Sequence, residues 1–166
     1  MEQNSSIKEQ SLRAEQAAKA QPAKTRDAAG EAATECGPEL DERICAALRA
    51  ASDKKALEMV VLDLRAVANF TDYFLITSGT NTRQVQAIAD EVVERLKTHG
   101  TRAARIEGYN TAEWILVDYG DFVVHVFDDK ARRFYDLERL WRDAARVALP
   151  ADLSEPDAGS LRKQEP

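Results

Sequence analysis

Cysteine is nearly absent from this sequence, and its scarcity excludes two classes of protein. Cys36 and Cys45 are the only two, too few for a disulfide framework and without a second Cys/His pair at zinc-ligand spacing, so they read as ordinary reduced thiols. Histidine is as scarce. His99 ends a helical pattern and His125 sits mid-strand, neither beside a nucleophile or a metal partner in sequence. Ser78 lacks the flanking residues of a nucleophile elbow, and neither a Walker A loop nor a dinucleotide fingerprint occurs. No apolar run approaches the roughly 20 residues that a membrane helix needs. The opening, MEQNSSIKEQ, has neither a basic start nor an apolar stretch. The expectation is a soluble, cytoplasmic protein that is not an enzyme, with no cofactor, no metal site and no membrane contact.

Basic residues are also in deficit. Twenty-three Lys and Arg stand against 29 Asp and Glu, a net charge of -6, which disfavours affinity gained by neutralising phosphates. Direct, sequence-specific nucleic-acid binding is therefore not expected. An RNA-rich partner would be gripped through a basic protein on its surface.

What is present suffices for one core. With 44% hydrophobic residues over 166 positions, the chain can build one globular domain and carry unstructured sequence besides. Residues 1–39 are mostly Ala, Gln, Glu, Lys and Ser, with Ile7 and Leu12 as the only large aliphatics. Such a segment cannot offset its ordering entropy and reads as a disordered arm. Residues 150–166, punctuated by Pro150, Pro156 and Pro166, read as a tail. The domain then spans 40–149.

Within it, Leu40, Ile44, Ala47, Leu48 and Ala51 recur at helical spacing. EMVVLDLR (58–65) and DYFLITSG (72–79) are short β-branched and aromatic runs, hence strands. Val85, Ile88, Ala89, Val92, Val93 and Leu96 define a second helix, with cap candidates at Thr80 to Thr82 and a stop at Gly100. A weaker strand at 103–107 precedes WILVDY (114–119) and FVVHVF (122–127), which should pair as a hairpin about Gly120. Asp128 and Asp129 can cap a last helix whose apolar stripe is Leu137, Leu140, Trp141, Ala144 and Ala148. The order predicts an α/β fold, a mixed sheet of about five strands flanked by helices.

A turn centred on Tyr119 and Gly120 would set Val117 opposite Phe122 and Trp114 opposite His125. One face then carries Ile115, Val117, Phe122, Val124 and Val126, suited to the core. The other carries Trp114, Leu116, Asp118, Asp121, Val123 and His125. A tryptophan and aliphatics rimmed by acids suit a patch for a basic protein partner. The alternative is that Trp114 covers the sheet edge or packs under the first helix. An apolar patch of this kind can also be shielded by a second copy of the chain, giving a homodimer when free.

Two further readings weaken on inspection. The strand, Ser-Gly and helix at Ser78 to Leu96 has the outline of a nucleotidyltransferase opening, where a helix N-terminus would hold phosphate. Yet Asp118 and Asp121 straddle a turn, and Asp128 and Asp129 point to opposite sides if extended, so no carboxylate pair reaches a shared magnesium site. Lys130, Arg132, Arg133, Arg139 and Arg142 beside Tyr135 resemble an RNA-binding helix, but Asp136, Glu138 and Asp143 alternate with them as on a solvated face. Phe134, Leu137, Leu140 and Trp141 read as core.

DYFLITSGTNTRQVQAIADEV, EGYNTAEWILVDYGDFVVHVFDD and RRFYDLERLW closely resemble the ribosomal silencing factor, or Iojap, family over Ala46 to Val147. The resemblance implies a nucleotidyltransferase-like fold without the active site. It further implies a repressor that binds the large ribosomal subunit through ribosomal protein uL14 and blocks small-subunit joining when nutrients are scarce. Organellar members assist ribosome assembly. The binding role transfers onto Trp114, Leu116, Asp118, Tyr119, Gly120, Asp121 and His125 of the hairpin, and onto Tyr135 of the last helix. Trp114 and Leu116 would form the desolvated centre, and the two aspartates would face Lys or Arg of the ribosomal protein.

Overall fold

A computed structural model describes Cys36 and residues 40–154. The remainder of the expected arm and the tail beyond Ser154 lie outside the described residues. Helix α1 (Glu42–Asp53) begins where the Asp41 carboxylate accepts the Arg43 N–H at 2.8 Å, and it buries the expected stripe of Ile44, Ala47, Leu48 and Ala51. Strands β1 (Leu57–Asp63) and β2 (Tyr73–Gly79) follow. Helix α2 (Thr82–Thr98) starts at Asn81, whose side chain accepts the Gln84 N–H at 2.8 Å, and stops before Gly100, where φ is +87°. Then come β3 (Arg105–Glu107), β4 (Trp114–Asp118), β5 (Phe122–Asp128), two short helices α3 (Asp129–Tyr135) and α4 (Leu137–Leu140), and β6 (Ala145–Val147).

The six strands form one mixed sheet in the order β3-β4-β5-β2-β1-β6. Only β2 and β5 run parallel, and the other pairs are antiparallel. Because layers cover both sides, β4 is buried along its whole length. On one face α1 and α2 pack on Val61, Leu75, Ile115, Val117, Phe122, Val124 and Val126, the last five being the apolar set that strand alternation assigned to the helices. On the other, Leu62, Phe74, Ile76, Trp114, Leu116, Val123 and Phe127 form a second core under Ala131 and Leu137.

Four expectations need correction. The last helix is not continuous: Asp136 adopts φ +47°, ending α3 while its N–H still reaches the Arg132 carbonyl at 3.0 Å. Aspartate is among the few residues that tolerate this left-handed conformation. The chain then turns back, and residues expected at the helix end form β6 instead, with Val61 opposite Val147 on the outer edge of β1. The tail begins later than expected, since Leu153 is buried against the α1-side core and Asp152 pairs with Arg49 at 2.9 Å. Finally, Cys36 and Cys45 are not free thiols. They are joined as a disulfide with Cα atoms 6.1 Å apart, a separation that such a bond spans.

Candidate docking face

The β4–β5 hairpin closes one residue later than the sequence suggested. Asp118 lies opposite Val123, Leu116 opposite His125 and Trp114 opposite Phe127, and the turn falls on Gly120 and Asp121. Tyr119 N–H donates to the Phe122 carbonyl at 2.9 Å, and Gly120 has φ +90°, as the first central position of a two-residue hairpin turn requires. Each partner therefore moves by two positions, which preserves the division into faces.

The second face does gather the predicted residues, but beneath the surface. Trp114 is 5% exposed, Leu116 1% and His125 2%. The Trp114 indole N–H donates to His125 Nδ1 at 3.0 Å, its ring stacks on Phe127 at 5.0 Å, and Tyr135 covers it at 5.1 Å. Phe74 meets the His125 ring edge-on at 4.4 Å, and Trp141 and Phe70 close over Phe74. Burial pushes His125 down to about 3, so it is a neutral packing group. Its tautomer follows from the hydrogen bond, with Nδ1 accepting and the proton on Nε2. The exposed centre expected at Trp114 and Leu116 is thus corrected. Nor is the cover the first helix, which lies on the opposite face; the break at Asp136 folds α3 and α4 across this one.

The acidic rim is also internal. Asp118 is fully buried, its Oδ1 accepting the Gly120 N–H at 2.8 Å, and desolvation holds its carboxyl above the ordinary range despite that bond. It therefore shapes the turn and cannot meet a partner's cation. Asp121 is engaged by Arg43 of α1, whose guanidinium also bonds Asp41 and lies 5.2 Å from the centre of the Phe122 ring. Tyr119 stacks on Phe122 at 4.9 Å and is buried, which raises its phenol. Among the predicted residues Asp121 and Tyr135 are half-buried and the other six are buried, with Tyr135 at the margin of the cover.

What the cover presents to solvent was expected, from the sequence, to be core. Phe134 is 68% and Leu140 71% exposed, far above the other large apolar side chains among the described residues. Both fall on the stripe that an unbroken helix would bury, so periodicity alone could not single them out. Phe134 meets Tyr135 edge-on at 4.8 Å. Exposed Lys130, Arg133, Arg139 and Arg142 share these elements and the following turn.

Beneath them, Arg132 fastens the cover to the sheet. It is 7% exposed and donates to Ser78 Oγ at 2.7 Å, to the Glu58 carbonyl at 2.8 Å, and to both Glu138 oxygens at 3.0 and 3.1 Å. Sequence alternation had placed Arg132 on a solvated face. A cation that donates to a strand serine, a strand carbonyl and an acid of the next helix is a structural rivet.

The phosphate-cradle outline fares differently. Two donors at the start of α2 are taken by local side chains, Asn81 accepting from Gln84 N–H and Gln84 Oε1 accepting from Thr80 N–H at 2.7 Å. Gly79 packs so closely on Val85 that a Cβ would come within 3.2 Å of it, which explains the glycine by strand–helix contact. Among the described residues no group of three or more His, Cys, Asp or Glu is placed to hold a metal ion. No helix among them is long and apolar enough to cross a membrane.

Comparison with known proteins agrees with this architecture. The sequence model described as "Ribosomal silencing factor during starvation" matches residues 38–166, well beyond the span of the motifs quoted above. Ribosomal silencing factor RsfS of Halalkalibacterium halodurans is 44% identical over 108 residues, covering 65% of this chain and 92% of that protein. A crystal structure of a Chromobacterium violaceum protein superposes with a TM-score of 0.61 at 32% identity, covering 72% of this chain and 98% of that one. The mouse protein named mitochondrial assembly of ribosomal large subunit protein 1 is 34% identical over 91 residues, 53% of this chain and 40% of its own length.

Proposed function

Because the chain belongs to the ribosomal silencing factor family, we propose that it binds the large ribosomal subunit through ribosomal protein uL14 and keeps the small subunit from joining, lowering translation when nutrients are limiting. The observation that carries the docking site is the pair Phe134 and Leu140, the two most exposed large apolar side chains among the described residues, both on the α3–α4 cover. Such side chains suit the desolvated centre of an interface. Tyr135 extends that centre inward, and Trp114, Leu116 and His125 are the platform that holds it in place. Lys130, Arg139 and Arg142 steer the domain toward the strongly anionic, RNA-rich subunit. No chemistry is required: a docked domain roughly 30 Å across occupies space that the joining subunit needs.

The test is co-sedimentation of the full chain with separated subunits, followed by a reassociation assay, with Phe134→Asp/Leu140→Asp beside wild type. Wild type should pellet with large subunits alone and suppress joining. The double variant should unfold at the wild-type midpoint yet bind at least about tenfold more weakly. Failure of wild type to bind large subunits would remove the silencing reading, and full binding by the variant would move the site elsewhere. The mouse relative's name favours a second reading, large-subunit assembly from the same surface. Accumulation of large-subunit precursors in growing cells that lack the chain would select it.

A further inference from the structure

Cys36 and Cys45 are linked across the start of α1, yet a protein that works on ribosomes meets thiol pools that keep most cysteine pairs reduced. The disulfides that do form in such surroundings are chiefly transient, catalytic or redox-sensing. We infer that Cys36–Cys45 is a reversible thiol–disulfide site that exchanges with small disulfides of the glutathione type, tying Cys36 to α1 when oxidised and releasing it when reduced. The expectation of reduction rests on the ribosomal reading; the pairing itself does not.

The two sulfurs sit in unequal surroundings. Cys45 lies in the first turn of α1 and is 4% exposed, enclosed by the α1-side core, whereas Cys36 is only partly buried against that core. Access therefore makes Cys36 the residue that meets an external disulfide first. Its thiolate attacks one sulfur of the reagent, forming a mixed disulfide and expelling one small thiolate. The Cys45 thiolate then attacks the Cys36 sulfur and expels the second. The two cysteine thiols lose two electrons, the reagent's S–S bond gains them, and the two protons released pass to the expelled thiolates.

The staple reaches past its own loop. Cys45 is two residues from Arg43, which holds Asp41 and Asp121 and lies over Phe122. Oxidation thus fixes the same helical turn that anchors the β4–β5 turn. Reduction leaves that anchor to the cap of α1 alone.

The full chain, equilibrated across graded ratios of reduced to oxidised glutathione, quenched with acid, alkylated and weighed, gives the number of free thiols at each ratio. The expected result is a reversible passage from two free thiols to none, with no lasting glutathione adduct on wild type. Cys45→Ser should trap glutathione on Cys36, while Cys36→Ser should leave Cys45 unmodified until the domain unfolds. Hydrogen exchange of peptides covering 40–45 and 119–122 should slow on oxidation. The inference is overturned if the thiols persist in pure oxidised glutathione, if the bond survives the most reducing ratio, or if exchange is equal in both states. No ribosome enters the experiment, so its failure cannot be mistaken for failure of the silencing reading.

Discussion

Replacing Arg132 with methionine keeps much of the side chain's length and removes every donor. Ser78 Oγ is a neutral hydroxyl and Glu58 is an exposed residue, so the main loss is at the charged partner, Glu138. That carboxylate is 22% exposed and keeps only the longer contact to Arg146, at 3.5 Å. Breaking a buried ion pair from one side costs roughly 3 to 5 kcal/mol. Partial access of water to Glu138 places this case at the lower end, about 3 kcal/mol. With a urea dependence of roughly 1.5 kcal/mol per molar for a domain of this size, the unfolding midpoint should fall by about 2 M. Arg132→Lys should recover less than half, because one ammonium cannot reach a serine, a carbonyl and both carboxylate oxygens together. Combining Arg132→Met with Glu138→Gln should cost clearly less than the sum of the singles, by at least about 1 kcal/mol. A midpoint unchanged within 0.3 M or so, or additivity in the cycle, would refute the rivet.

Acid should weaken the fold through His125. Its pKa is pushed down to about 3 in the folded protein, against roughly 6.5 unfolded, so the unfolded chain binds the extra proton. Stability is complete above about pH 6.5 and falls as pH drops toward 3, by about 2 kcal/mol at pH 5; His125→Gln should flatten that part of a denaturation profile. At Gly108, φ is +80° and a Cβ would run into the Trp114 carbonyl oxygen. Gly108→Ala should therefore cost at least about 2 kcal/mol by thermal or urea unfolding, whereas Gly100→Ala, with open space around it, should cost about 1 kcal/mol.

The legible part of this fold was its alternation. Ile115, Val117, Phe122, Val124 and Val126 take the helix-covered face because a period of two survives any register error that moves a partner by two positions. The hairpin register itself was not legible, since the sequence around Gly120 admits a turn centred one residue earlier, and only the Tyr119 N–H bond to Phe122 decides it. The break at Asp136 was hidden for a different reason. Phe134, Leu137, Leu140 and Trp141 keep helical spacing through it, and a tertiary contact, Arg132 to Glu138 and Ser78, fixes the new course. Strand β6 was invisible because Ala145–Val147 gains its conformation by pairing with β1, not from propensity. The cysteine pair was lost because counting ligands at metal spacing says nothing of two residues that flank a helix start.

The exposure of Trp114 and Leu116 was misread through a reasonable chain of inference, and the error bears on how mutants should be interpreted. A tryptophan beside acids on the free face of a hairpin has the composition of an interface, but composition does not distinguish a face that meets another protein from one that meets a thin layer of its own chain. Here the layer is two short helices whose outer side carries Phe134 and Leu140 and whose inner side rests on Trp114 through Tyr135. Truncating Trp114 would remove a large core side chain, costing roughly 3 to 5 kcal/mol of stability, and would also loosen the elements that display the outer pair. Lost ribosome binding in such a variant is therefore expected whether or not Trp114 ever touches a partner. A contact role for the outer pair follows only from substitutions at Phe134 and Leu140 that leave the unfolding midpoint in place, since those side chains are already in water and their replacement leaves no cavity behind.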